Sequence, residues 1–268
     1  MSTYYINPNN KTGIIQYRNN RNGSPNFNTL LNNIVLQNND VIRVVKTSPS
    51  TIVDDTMDTI NINRSVRIEC IRIIAGGFDK VVDENVTVNV INSDVGFNIE
   101  SDNVSVRNLT FSKSSNIGDN PIIYASGVDN IVIRRCNAND YIRIEESNFA
   151  TIGDCNISSG NIQIIDSDKV DIYNNVITPC DEVIGIYCES NDNNFGINIY
   201  DNLIYHPNIQ FGDLLNGIHF VGEYRNVNIY RNVIRYSSYN DCFGIKMDVD
   251  NGGNIKIKNN TLIRDGNV

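Results

Sequence analysis

A degenerate eight-residue unit recurs down this chain and constrains its fold more than any other feature. The copies 131-IVIRRCNA, 150-ATIGDCNI, 170-VDIYNNVI, 197-INIYDNLI, 227-VNIYRNVI and 255-IKIKNNTL each read apolar, any, Ile, two mostly polar residues, then Asn or Cys and a second apolar step. An earlier and slightly shorter copy is 104-VSVRNLTF. The start-to-start spacings are 27, 19, 20, 27, 30 and 28 residues, too uneven for a leucine-rich, ankyrin or propeller array. They suit a solenoid whose strands stay in register while one loop per turn varies in length.

Period-2 alternation, as in Val170/Ile172 and Ile197/Ile199, turns the branched apolar residues inward and Asp171 and Asn198 outward. A helical reading fails, because β-branched residues dominate and Gly and Asn interrupt every run. Asn makes up roughly one residue in six, far above ordinary usage, and it falls periodically. Asn175, Asn202, Asn232 and Asn260 share one column, with Cys136 and Cys155 in the same column of the two preceding rungs. Stacking at about 4.8 Å would link the amides in a hydrogen-bonded structural ladder. A sharp bend falls at this point, and the column is expected to adopt positive φ, which Asn tolerates better than other residues except Gly.

The sequence therefore predicts an all-β chain, a right-handed parallel β-helix with a short N-terminal capping helix, as one domain over 1–268. Residues 1–40 supply an N-terminal strand and the cap, and 41–268 the rungs, beginning near 41-VIRVV. Ser24-Pro25 reads as N-cap and first helical residue, followed by Phe27, Leu30, Leu31 and Ile34 on one helical face. The C-terminal end, 262-LIRDGNV, reads as uncapped, and an open rung exposes unpaired backbone and core. It is expected to be covered by other protein subunits or a further domain.

The repeat, the N-terminal plug, the opening 4-YYINPNN and 39-NDVIRVV resemble the pectin-lyase-like parallel β-helix superfamily, from about residue 4 to the end. That resemblance implies the β-helix fold. It also implies one of two functional classes: carbohydrate lyases, hydrolases, epimerases and esterases, or phage tailspikes and other virion and surface proteins without chemistry.

A net charge of −9 and a pI near 4.7 leave no basic face for nucleic acid. No apolar run is long enough for a membrane span. The N-terminus lacks a charged segment followed by an apolar one, so synthesis in the cytoplasm without a signal peptide is expected, with incorporation into a virion or surface assembly. Six cysteines and two histidines show no zinc-type pairing, so reduced buried thiols, no metal and no cofactor are expected.

Aligning 183-VIGIYC, 215-LNGIHF and 242-CFGIKM puts Gly185, Gly217 and Gly244 in one column and Tyr187, His219 and Lys246 in another. Asp181, Glu182, Asp213 and Asp241 lie upstream, and Glu189 and Asp248 downstream. Carboxylates, a His and a Lys on one outward face suit acid/base or glycosidic chemistry, and the candidate catalytic set is Asp213, His219, Asp241 and Lys246. The segment 238-SYNDCFGIKM is similar to the paired-aspartate motif of polygalacturonases, with Asn240 where the first aspartate stands and Asn216 where that family has its other acid. Tyr173, Tyr200 and Tyr230 form a column at the bend and, with Tyr187, are candidates for stacking on sugar rings. Stacked unlike charges and an aromatic ladder over the turn account for the same residues structurally. Two functions follow from the sequence: a non-enzymatic structural or recognition module of a virus particle or surface assembly, or a polysaccharide-active hydrolase or lyase.

Overall fold

The computed structural model describes residues 2–7, 25–32, 34–46, 52–55, 59–74, 78–81, 86–90, 95–113, 120–179, 184–207, 215–236, 242–250 and 252–265. Three sheets, parallel along their length, wind round one core as a right-handed parallel β-helix. The first runs from Thr3–Ile6 and Asp40–Val45 to Asn228–Tyr230 and Lys256–Lys258; the second from Ile52–Asp55 and Val86–Val90 to Val233–Tyr236 and Thr261–Arg264. The third runs from Ile60–Ile62 and Phe97–Ile99 to Leu215–Arg225 and Cys242–Val249. Successive strands visit the three sheets in turn, so neighbours within a sheet lie one coil apart. An antiparallel excursion, Phe78–Val81, folds back on Val66–Ile74.

Each copy of the repeat is a corner with a strand on either side. Val170, Ile172 and Ile177 point inward and are fully buried, while Asp171 and Tyr173 face out from the strand between. The register carries this pattern through the rungs: Ile172 pairs with Ile199, and Ile199 with Ile229. Cys70, Cys136, Cys155 and Cys188 are buried and unbridged. Contact with the Cys136 thiol, together with burial, pushes the Cys155 thiol well above its usual range.

The Asn column makes the bonds its spacing suggests. The Nδ2 groups of Asn175, Asn202 and Asn232 donate to the Oδ1 of Asn202, Asn232 and Asn260 at 3.0, 2.9 and 2.9 Å. The same Oδ1 atoms accept the backbone N–H of the preceding Asn at 3.0–3.1 Å. The expected conformation needs correction, because positive φ belongs to the residue before the ladder. Arg135, Asp154, Asn174, Asp201, Arg231 and Asn259 have φ of 51–58°, and the ladder residues are absent from the left-handed set. The turn is made by an exposed or half-buried residue, and the Asn behind it turns inward to satisfy backbone groups at the corner.

The capping helix spans Phe27–Leu31, and its N-cap is Asn26, whose side chain accepts the Thr29 N–H at 2.8 Å. This corrects the expected start at Ser24, a residue outside those described; Asn caps as well as Ser, and starting there places Phe27 and Leu30 inward. Both are fully buried, and Phe27 meets Phe97 edge-on at 5.4 Å, closing that end of the core. At the other end of the solenoid, the inward column Gly185, Gly217 and Gly244 lets the sheets approach closely. A Cβ on Gly217 would lie 2.5 Å from Ile234 Cγ2 and 2.7 Å from the Gly244 carbonyl oxygen.

Candidate functional site

The third sheet carries the acid/base candidates because its last three strands are long and in register. Tyr187 pairs with His219 and His219 with Lys246; one alternation further on, Glu189 pairs with Val221 and Val221 with Asp248. Asp248 is the junction of this face. It accepts from His219 Nε2 at 2.9 Å and from Lys246 Nζ at 2.6 Å. The Lys246 ammonium, and after it His219, hold the Asp248 carboxyl below the usual carboxylate range. Donation by Nε2 would leave Nδ1 as the acceptor nitrogen, and that atom is buried without a hydrogen-bond partner. The Tyr187 ring packs against His219 at 5.7 Å, and its hydroxyl donates to Glu189 at 3.0 Å. Burial, reinforced by that carboxylate, pushes the Tyr187 hydroxyl up to about 12.

The structure thus brings His219 and Lys246 together, through an aspartate that the sequence placed only as a neighbour. Asp213 and Asp241, with Asp181 and Glu182, lie outside the described residues. What the described face offers chemically is an ionised carboxylate, two cationic or potentially cationic groups and a protonated phenol. The general acid of a glycosidase is a carboxyl held protonated by a raised pKa, and the Asp248 carboxyl is shifted the opposite way. Among the described residues no cluster of His, Cys, Asp and Glu could hold a metal ion.

The tyrosine column lies on the outer side of the first sheet, away from Tyr187. Tyr173, Tyr200 and Tyr230 stack at 5.2 and 5.0 Å with interplanar angles of 13° and 3°. Their faces are directed at one another along the solenoid axis. The outer face of Tyr173 lies over Gly153, where a Cβ would fall 2.5 Å from the ring, with the Arg134 guanidinium 5.6 Å away. Arg231 sits 4.7 Å from the Tyr230 centroid. A sugar would therefore meet ring edges, which lack the C–H/π geometry of a stacking platform.

A second corner, from the third sheet to the first, went unnoticed in the sequence. Ser147 and Ser167 stack there, the Ser147 N–H donating to Ser167 Oγ at 3.1 Å, and Asn148 binds Asp129. The signal is 147-SNFA over 167-SDKV, each placing an Asx residue before a left-handed one. At these left-handed positions stand Phe149 and Lys169, with φ of 59° and 52°, and the Lys169 ammonium lies 4.2 Å from the exposed Phe149 ring and 5.1 Å from that of Phe195.

No protein-family model matches the chain, and no curated protein matches it. Among solved structures, the chain is similar to a GH136 lacto-N-biosidase from Eubacterium ramulus, at 8% identity over 97% of this chain and 68% of that one, with a TM-score of 0.37. The selenomethionine derivative of that protein gives 0.34 over the same shares at the same identity. A likeness this distant carries no inference about activity. No helix among the described residues is long and apolar enough to cross a membrane.

Proposed function

We propose that this chain is a structural or recognition module of the pectin-lyase-like class of β-helices, built into a virus particle or a surface assembly. The observation that supports this reading most is the last described rung. Ile257 and Leu262 are 48% and 58% exposed, yet they occupy the inward columns of the fully buried Ile229 and Ile234. With Phe243 they border an open depression of about 500 Å³. Half-exposed side chains of this size stand to gain about 1 kcal/mol each on full burial, which a protein subunit or a further domain seated on the rung supplies. The Lys246–Asp248–His219 junction is, on this reading, a cross-strand charge network that ties two rungs together.

A second reading is favoured by the same junction: a polysaccharide-active enzyme working from the Asp213, His219, Asp241 and Lys246 face. Incubation with a panel of neutral and acidic polysaccharides separates the two, with new reducing ends and unsaturated uronates as readouts and His219→Ala as the comparison. The module reading expects no product beyond that of His219→Ala. Product release that depends on His219 overturns it in favour of the enzyme.

A further inference from the structure

The amide ladder begins at Asn175, and the two rungs before it carry sulfur in the same column. From Asn175 onward each corner is tied to the next by an amide, whereas Cys136 and Cys155 hold the equivalent positions as thiols. Their rungs are in register on both sides of the corner: Arg134 pairs with Gly153 before it, and Asn137 with Asn156 after it. Both turns are made alike, by Arg135 and Asp154 at φ of 53° and 57°. The Arg135 N–H donates to the Gly153 carbonyl at 3.0 Å and the Asn156 N–H to the Cys136 carbonyl at 2.9 Å, which holds the two corners at the rung spacing.

Both side chains are buried, at 1% and 2% exposure. Each thiol, a weak donor, reaches a carbonyl of its own turn, Cys136 that of Arg134 and Cys155 that of Gly153, both at 3.3 Å. The two thiols also touch each other. In-register Cα atoms of neighbouring strands lie about 4.8 Å apart, inside the range of about 4.4–6.8 Å that a disulfide spans. No other pair of the described cysteines is placed this way. Cys70 has Val44 in register with it, and Cys188 has Ile164 and Phe220.

We propose that Cys136 and Cys155 are a modification site, closing to a disulfide across two rungs when the chain folds in the presence of an oxidant of the disulfide class, such as oxidised glutathione. One protein thiolate attacks the oxidant, forms a mixed disulfide and expels a glutathione thiolate. The other attacks the protein sulfur of that mixed disulfide and expels the second glutathione thiolate. Two protein thiols are oxidised, one glutathione disulfide is reduced to two thiols, and the protons lost by the protein pass to the departing thiolates. The step belongs to folding. In the closed corner both sulfurs are shielded from solvent, and contact with Cys136, together with burial, keeps the Cys155 thiol protonated. The same burial then protects the finished bridge from reductant. The bridge supplies between these rungs the cross-link that the amides supply further on, and by closing a loop of this length it lowers the unfolding equilibrium constant by about a hundredfold. It is independent of what covers the last rung.

The test uses the full chain, unfolded under reductant and refolded either in reductant alone or over a series of ratios of reduced to oxidised glutathione. Remaining thiols are alkylated in denaturant, and peptides cut between residues 136 and 155 are identified by mass spectrometry. Refolding with oxidised glutathione is expected to give a disulfide joining the Cys136 and Cys155 peptides, whereas the folded, reduced chain given the same mixture stays unbridged. Denaturant unfolding of the bridged and reduced forms of the one chain then reads the hundredfold difference. Four results overturn the proposal: both thiols alkylated at every ratio, either of them joined to another cysteine, a bridged form that unfolds as readily as the reduced one, or bridging of the folded chain at the rate of the refolding one.

Discussion

Asn174 and Asn175 are adjacent and do opposite work. Asn174 makes the turn at φ 51°, whereas Asn175 is buried, accepts the Cys155 N–H at 2.9 Å and donates to Ile152 and Asn202. Asn174→Gly should change stability by less than about 0.5 kcal/mol, since Gly adopts this backbone freely. Asn175→Ala should cost about 2–4 kcal/mol, because it strands buried backbone groups. Thermal unfolding of the two variants checks this, and equal losses would mean that turn and ladder are wrongly divided. The sequence showed the column but not the division, because Asn is favoured both for left-handed turns and for amide ladders. Only the register of the strands tells which residue of the pair points inward. His206, on the second sheet, gives a pH test. It is buried against Tyr236 with Nε2 lacking a hydrogen-bond partner, and burial lowers its pKa from 6.5 to about 4. The unfolded chain binds the proton first, so this contribution to stability is complete above about pH 6.5 and is lost as pH falls towards 4, by about 3 kcal/mol. Unfolding free energies at pH 7 and pH 4.5 should differ less in His206→Phe than in the parent; an unchanged difference would locate the acid sensitivity elsewhere.

Among the elements, the capping helix shows how a short segment closes a solenoid. Phe27→Ala would empty a fully buried site against Phe97 and should cost about 3–5 kcal/mol, read as a lowered unfolding midpoint. A loss below about 1 kcal/mol would mean that the end stays closed without it. The helix was legible from its apolar face, but its start was not, because Ser24 and Asn26 cap equally well in sequence terms. The third-sheet strands were legible to the residue. Their shared Gly-Ile pair fixes the alignment, and Tyr187, His219 and Lys246 stand side by side as that alignment requires. What it could not give is the role of Asp248. A carboxylate two positions downstream lies on the same face by alternation, but only the contacts at 2.6 and 2.9 Å make it the common partner of Lys246 and His219. The tyrosine column was legible as a column, whereas the orientation of its rings, face to face along the axis, follows from rung spacing and from the room left by Gly153.

At the scale of the whole molecule, a solenoid has two ends and a side, and its chemistry is distributed among them. One end is filled by Phe27 and Leu30, and the last described rung leaves core positions bare. Each rung rests only on its neighbours, so a bare rung is stabilised by whatever stacks on it. Under the proposed reading, the terminal rung is the contact with a protein subunit or a further domain. The central claim is that this rung is a protein contact surface, and the most direct measurement is the solution mass of the isolated chain at high concentration, compared with that of Ile257→Asp, Leu262→Asp. The account predicts concentration-dependent assemblies of the parent that are lost in the variant. Masses that are identical in parent and variant at every concentration, with the terminal strands Lys256–Lys258 and Thr261–Arg264 protected from hydrogen exchange in both, would contradict it.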